Sequence, residues 1–190
     1  MKRIRSVVLV IGTVAGLMLP ATAAYADAFI GYDPARDVYL GVNNGAGTDW
    51  VRADRRVIGD IQALRVAHSA QDVRISMTYR ALVAAGNGTL HEFRIGSSNG
   101  GAIVKIQGVP GHWLGKPTFY RNGNRTCAAL VGRIDYTNDR VIVQFPRTCL
   151  GNPSWVQVAG ATSMESDRGT YEDWSGTTGT QLVFTPRVHV

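Results

Sequence analysis

Few of the motifs that usually announce chemistry are present in these 190 residues. Cys127 and Cys149 are the only cysteines and form no Cys-x-x-Cys pair, which excludes a thioredoxin-like dithiol. The four histidines, His68, His91, His112 and His189, make no His-x-x-x-His or His-x-Glu arrangement, so no zinc site is indicated. An Asp-x-Asp-x-Asp-Gly calcium loop is also missing. No apolar run reaches the roughly 20 residues that a membrane-spanning helix needs. Helical periodicity is absent too, which excludes a βαβ fold with its crossover helices.

What is present begins with a leader. Lys2, Arg3 and Arg5 precede the uncharged stretch 7–19, then come Pro20 and the small-residue site Ala24-Tyr25-Ala26. This pattern predicts a signal peptide over 1–26, cleaved before Asp27, and hence a secreted protein without stable membrane insertion after cleavage. The remainder, 27–190, is long enough for a single domain with a sizeable core. Setting the three leader cations aside leaves 17 of the 20 Lys and Arg against 14 Asp and Glu. That balance is mild and the arginines are scattered, so no nucleic-acid partner is expected. In an oxidising compartment the two cysteines are expected to pair.

Period-2 alternation dominates the middle of the chain. Val73, Ile75, Met77 and Tyr79 alternate with Arg74, Ser76, Thr78 and Arg80, the pattern of a half-buried strand. With 61–68 and the connection Ser69-Ala70-Gln71-Asp72 it predicts a hairpin. Further strands are expected over 90–95, 102–106, 118–121, 127–135, 140–145, 155–158 and 181–188, with Gly86-Asn87-Gly88, Asn99-Gly100-Gly101 and Asn122-Gly123 supplying turns. Short strands so punctuated predict an all-β fold: an antiparallel two-sheet β-sandwich, jelly-roll or immunoglobulin-like. A disulfide hairpin is expected within it. If Cys127 and Cys149 lie opposite each other, the ladder centres on Asn138, among turn residues, and Pro146 is the place where it can slip. Two segments read as loops: the polar stretch 163–180, and 27–60 around one short strand at 38–42.

Candidate chemistry is sparse. Gly96-Ser97-Ser98-Asn99-Gly100 matches Gly-x-Ser-x-Gly, with His112 and His189 as nominal bases, but Gly101 leads into a strand rather than the helix a nucleophile elbow needs. A hairpin turn is the better reading, and no catalytic residue is assigned. His68 and His91 are expected to end or flank strands. Asp49, Asp54 and Asp60 are spaced closely enough to suggest calcium, yet Arg52, Arg55 and Arg56 among them favour ion pairs, so neither metal nor cofactor is expected. Glu92, Glu165 and Glu172 offer carboxylates for glycoside hydrolysis, which requires two in one cleft; the spacing selects no pair. Aromatic rings in loops are the remaining handle, because their faces stack on sugars. Trp113 beside His112, and Tyr171 with Trp174 in the polar segment, are the candidate ligand contacts.

The segments Gly59-Asp60-Ile61, Ile134-Asp135-Tyr136 and Phe145-Pro146-Arg147-Thr148-Cys149-Leu150-Gly151-Asn152-Pro153-Ser154-Trp155-Val156 resemble uncharacterised secreted β-sandwich proteins of high-GC bacteria over about residues 57–158. Their layout is similar to ligand modules of the carbohydrate-binding-module and DOMON type. The resemblance implies a β-sandwich, and fold alone does not carry function. The expectation is a secreted, non-catalytic module that binds a glycan or another cell-envelope component; the alternative is a small secreted hydrolase using Ser98 or a carboxylate pair.

Overall fold

The computed structural model describes residues 27–176 and 181–190. Residues 1–26, where a signal peptide is expected, and part of the polar segment, 177–180, lie outside the described residues. The chain forms strands β1 (Asp27–Tyr32), β2 (Tyr39–Asn43), β3 (Thr48–Arg52), β4 (Ile61–His68), β5 (Asp72–Tyr79), β6 (Gly88–Ser97) and β7 (Ala102–Val109). These are followed by β8 (His112–Arg121), β9 (Asn124–Arg125), β10 (Val131–Asp135) and β11 (Arg140–Pro146), a short 3₁₀ turn (Arg147–Leu150), β12 (Trp155–Ser166), β13 (Gly169–Trp174) and β14 (Val188–His189). No helix among the described residues is long and apolar enough to cross a membrane.

Two antiparallel sheets result. One has the order β1-β4-β5-β11-β10; the other runs β3-β2-β13-β12-β6-β7-β8-β9, with β14 pairing the start of β12. Alternation sorts each strand: Val73, Ile75, Met77 and Tyr79 of β5 face inward, as do His91, Phe93 and Ile95 of β6, and all are buried. The inward faces share one apolar core, across which Phe119 of β8 meets Phe145 of β11 edge to face at 5.1 Å. A smaller cluster, Val38, Met164 and Tyr171, sits apart from it. The all-β sandwich is therefore what the chain forms.

The β4–β5 hairpin forms as the alternation requires. Ser69 Oγ accepts from Asp72 N at 3.0 Å and donates to its carboxylate at 2.9 Å, closing the turn. Asn122 and Gly123 both adopt positive φ, as a two-residue turn between twisted strands demands.

Several details differ from expectation. The segment 163–180 is not one long loop: Ser163–Ser166 completes β12, and Gly169 turns the chain back into β13. Gly169 has φ 132°, and a Cβ there would collide with the Gly41 carbonyl, so only glycine fits. Alternation is masked here because the inward position Asp173 is acidic and Thr162, the inward position just before the stretch, is polar. Likewise 27–60 holds three strands rather than one, and 181–188 contributes only the start of β14.

The disulfide forms with Cα atoms 5.5 Å apart, but not between opposed strand residues. Val131 pairs with Gln144 and Asp135 with Arg140, one residue off the expected register, so β10 begins at Val131 and leaves Cys127 in the preceding turn. Cys149 lies in the 3₁₀ turn after Pro146, which ends the ladder because it has no N–H to donate. Both cysteines pack against the main core. Replacing both with serine is expected to cost about 3 kcal/mol, the loop-closure entropy returned to the unfolded chain, measured as a lower urea midpoint with an altered m-value.

Candidate functional site

The larger sheet turns one face to the core and leaves the other open. Register places Tyr39 of β2 opposite Glu172 of β13 and Arg52 of β3, and Trp50 opposite Gly41. The small Gly41 leaves room for the Trp50 ring, which contacts it. Trp174 meets the Trp50 ring at 5.9 Å and the Tyr39 ring at 6.3 Å, both edge to face. Toward the middle of the same face lie Ser163 and Ala161 of β12, then Glu92 and Arg94 of β6 and Lys105 of β7. Glu92 Oε1 meets Arg94 at 2.7 Å and Oε2 meets Lys105 at 3.0 Å. An aromatic cluster thus adjoins a row of hydrogen-bonding side chains.

The two carboxyls on this face have opposite environments. Burial alone raises Glu92, but the hydrogen bonds and charges of Arg94 and Lys105 outweigh it and hold the group below the ordinary range. Glu172 is raised, first by burial and then by the Glu92 charge. Glu165 is exposed beyond Ser163, toward the hairpin turn, outside that pair.

The four residues singled out from the sequence separate. Trp174 joins the aromatic cluster. Tyr171 faces inward at 9% exposure with Arg56 stacked 3.6 Å over its ring; it lies on the opposite side of the sheet from Trp174, because β13 alternates and its even-numbered positions face outward. His112 and Trp113 begin β8 at the opposite edge, lining a groove of about 1080 Å³ with Leu114, Lys116, Arg125 and Leu130. Trp50 escaped notice because its strand was read as loop, and Tyr39, within the strand expected at 38–42, was not singled out because its ring contact is with Trp174, on β13.

Ser98 sits in the β6–β7 hairpin turn, its hydroxyl accepting from Ser154 N at 2.9 Å and facing Asn99 at 3.4 Å. It is engaged in loop tethering. His68 ends β4, but His91 lies within β6, fully buried, its Nδ1 2.7 Å from the Tyr79 hydroxyl and 3.0 Å from Thr162 Oγ1.

The aspartates behave differently again. Asp49 bonds Asn44 at 2.7 Å and Asp54 pairs with Arg52 at 2.8 Å, so both are surface partners. Asp60 leaves that group and joins Asp33, Asp37 and Asp173 in a buried cluster whose nearest oxygens lie within 4.8 Å of one another. Three segments build it: the β1–β2 connection, the turn before β4, and β13. Asp60 Oδ2 accepts from Arg36 N at 3.0 Å and pairs with Arg80 at 2.9 Å. Asp173 accepts from Ile61 N at 2.6 Å and from Trp174 N at 3.0 Å. Asp33 accepts from Gly176 N. Burial raises Asp37 to about 6 and, with the charges of the other three acids, raises Asp173 to about 8. These are the described residues that can hold a metal ion. The sequence signal was an acidic residue at an inward position of β13, legible only once that strand is recognised.

No family model, curated protein or solved structure matches this chain.

Proposed function

We propose that the protein is an exported, non-catalytic module that binds glycan on the open face of its larger sheet. The observation that carries this reading is the juxtaposition of Tyr39, Trp50 and Trp174 with Glu92, Arg94, Lys105 and Glu172 on one uncovered surface. Sugars present apolar CH faces rimmed by hydroxyls, and recognition needs aromatic surface beside fixed donors and acceptors. The Arg94–Glu92–Lys105 ion pairs hold their groups in place, so little side-chain freedom is lost when a ligand binds.

A glycan and cell-wall pull-down with the purified protein tests this. Trp50→Ala and Trp174→Ala are each expected to weaken binding at least about tenfold, equivalent to about 1.4 kcal/mol, with unchanged circular dichroism. Trp113→Ala is expected to bind as wild type. Loss confined to Trp113→Ala would move the contact to the β8 groove, and absence of binding to every fraction would remove the reading.

One observation favours a second reading, a small hydrolase. Two carboxyls whose environments drive their proton affinities apart resemble a general acid, Glu172, beside an ionised partner, Glu92. Glu172→Gln separates the readings: it abolishes turnover of a bound glycan in a hydrolase and leaves affinity within about threefold in a binding module.

A further inference from the structure

We propose that Asp33, Asp37, Asp60 and Asp173 form a binding site for one calcium ion. Four carboxylates from three separate chain segments converge on one point, each offering an oxygen within 4.8 Å of the others. Calcium–oxygen bonds are about 2.3–2.6 Å long, so ligands on opposite sides of the ion lie up to about 5 Å apart, whereas magnesium holds its ligands at about 2.0–2.1 Å and requires a tighter cage. The donor set is all oxygen, which suits a hard cation and not zinc or copper.

A second observation points to a ligand. Asp37 is 1% exposed, and neither of its carboxylate oxygens has a hydrogen-bond partner in another residue; Asp60 Oδ1 is likewise buried without one. Buried carboxylate oxygens are ordinarily hydrogen-bonded or paired. These point into the space shared by the cluster. Arg80 pairs with Asp60 through Oδ2, which leaves Asp60 Oδ1 and both oxygens of Asp37 without a paired cation or a donor from another residue.

The position gives the ion a structural task. Val38, next to Asp37, belongs to the small apolar cluster, whereas Ile61, next to Asp60, belongs to the main core. A calcium ion between them ties the β1–β2 connection and the β4 entry to β13. Because it binds only the folded chain, it stabilises by mass action.

The experiment is calorimetric titration of the purified, chelator-stripped protein with calcium chloride, alongside thermal melts in about 5 mM calcium or in chelator. One calcium per chain and a midpoint raised by about 5 °C or more are expected, with a clearly smaller response to magnesium. Asp37→Asn and Asp173→Asn are each expected to melt no lower than wild type in chelator, since each puts a neutral amide of the same shape in place of a buried acid, yet to lose the calcium response. Either variant alone suffices if the other does not fold. No heat and no shift in wild type, equal responses to magnesium and calcium, or a calcium response retained in both variants would each overturn the assignment.

Discussion

Phe145→Ala is expected to destabilise the protein by about 3–5 kcal/mol, the cost of deleting a large buried aromatic and leaving a cavity that rigid strands cannot close. Phe145 is fully buried at the end of the inward row Val141, Val143, Phe145 of β11. Its ring touches Phe119 of the other sheet, so truncation strips a contact that joins the two layers as well as apolar burial. For a domain of this size the thermal midpoint should fall by roughly 10 °C. Leu114→Ala is the control: Leu114 is 66% exposed, and its loss should change stability by no more than about 0.5 kcal/mol. Similar midpoints for the two variants in thermal or urea unfolding would mean that the sheets do not share the core described.

Acid should weaken the fold through His91. Burial pushes its pKa down to about 3 from the ordinary 6.5, so the folded protein keeps it neutral while the unfolded chain takes up a proton. Stability from this group is therefore fully present above about pH 6.5 and lost as pH falls toward 3, at up to 1.36 kcal/mol per pH unit. From pH 7 to pH 4 the loss amounts to about 3 kcal/mol. The groups facing it are the Tyr79 hydroxyl from β5 and Thr162 from β12, with Asp173 beside Thr162 on the next strand. Asp37 and Asp173 hold their protons more tightly in the fold and oppose this trend, so the informative quantity is the difference between wild type and His91→Gln. The glutamine carbonyl can still accept from Tyr79 and does not titrate. Denaturation in matched buffers should show the variant gaining on wild type by about 1 kcal/mol per pH unit between pH 6 and 4. Parallel curves would show that His91 is not held neutral in the fold.

The two predictions probe different kinds of information. Phe145 lies in an apolar alternating strand, and such strands were legible: β4, β5 and β11 are found where alternation puts them, within a residue or two, and β7 starts at the expected residue and runs three residues further. His91 lies in a strand equally legible, yet its burial was not, because a polar residue at an inward position looks like an edge until its hydroxyl partners on β5 and β12 are known. The β12–β13 hairpin was missed for the same reason. Thr162 and Asp173 interrupt its apolar row, and the Gly, Ser and Thr around it imitate a loop. Trp50 went unrecognised with its strand, Tyr39 was passed over within an expected one, and Tyr171 was assigned to the surface when register turns it inward.

Local composition by itself determined the all-β class, the number of layers and the pairing of Cys127 with Cys149. These follow from period-2 burial, turn residues and an even cysteine count, each readable within a few consecutive residues or by simple counting. Only the tertiary structure decided that Asp33, Asp37, Asp60 and Asp173 share one buried point, and that Trp50, Tyr39 and Trp174 share one open face. The residues of each set are separated by as much as 140 positions in the chain. What brings them together is the order in which strands pair, and that order is set by long-range burial of apolar faces, which leaves no local trace in the spacing of the residues it gathers.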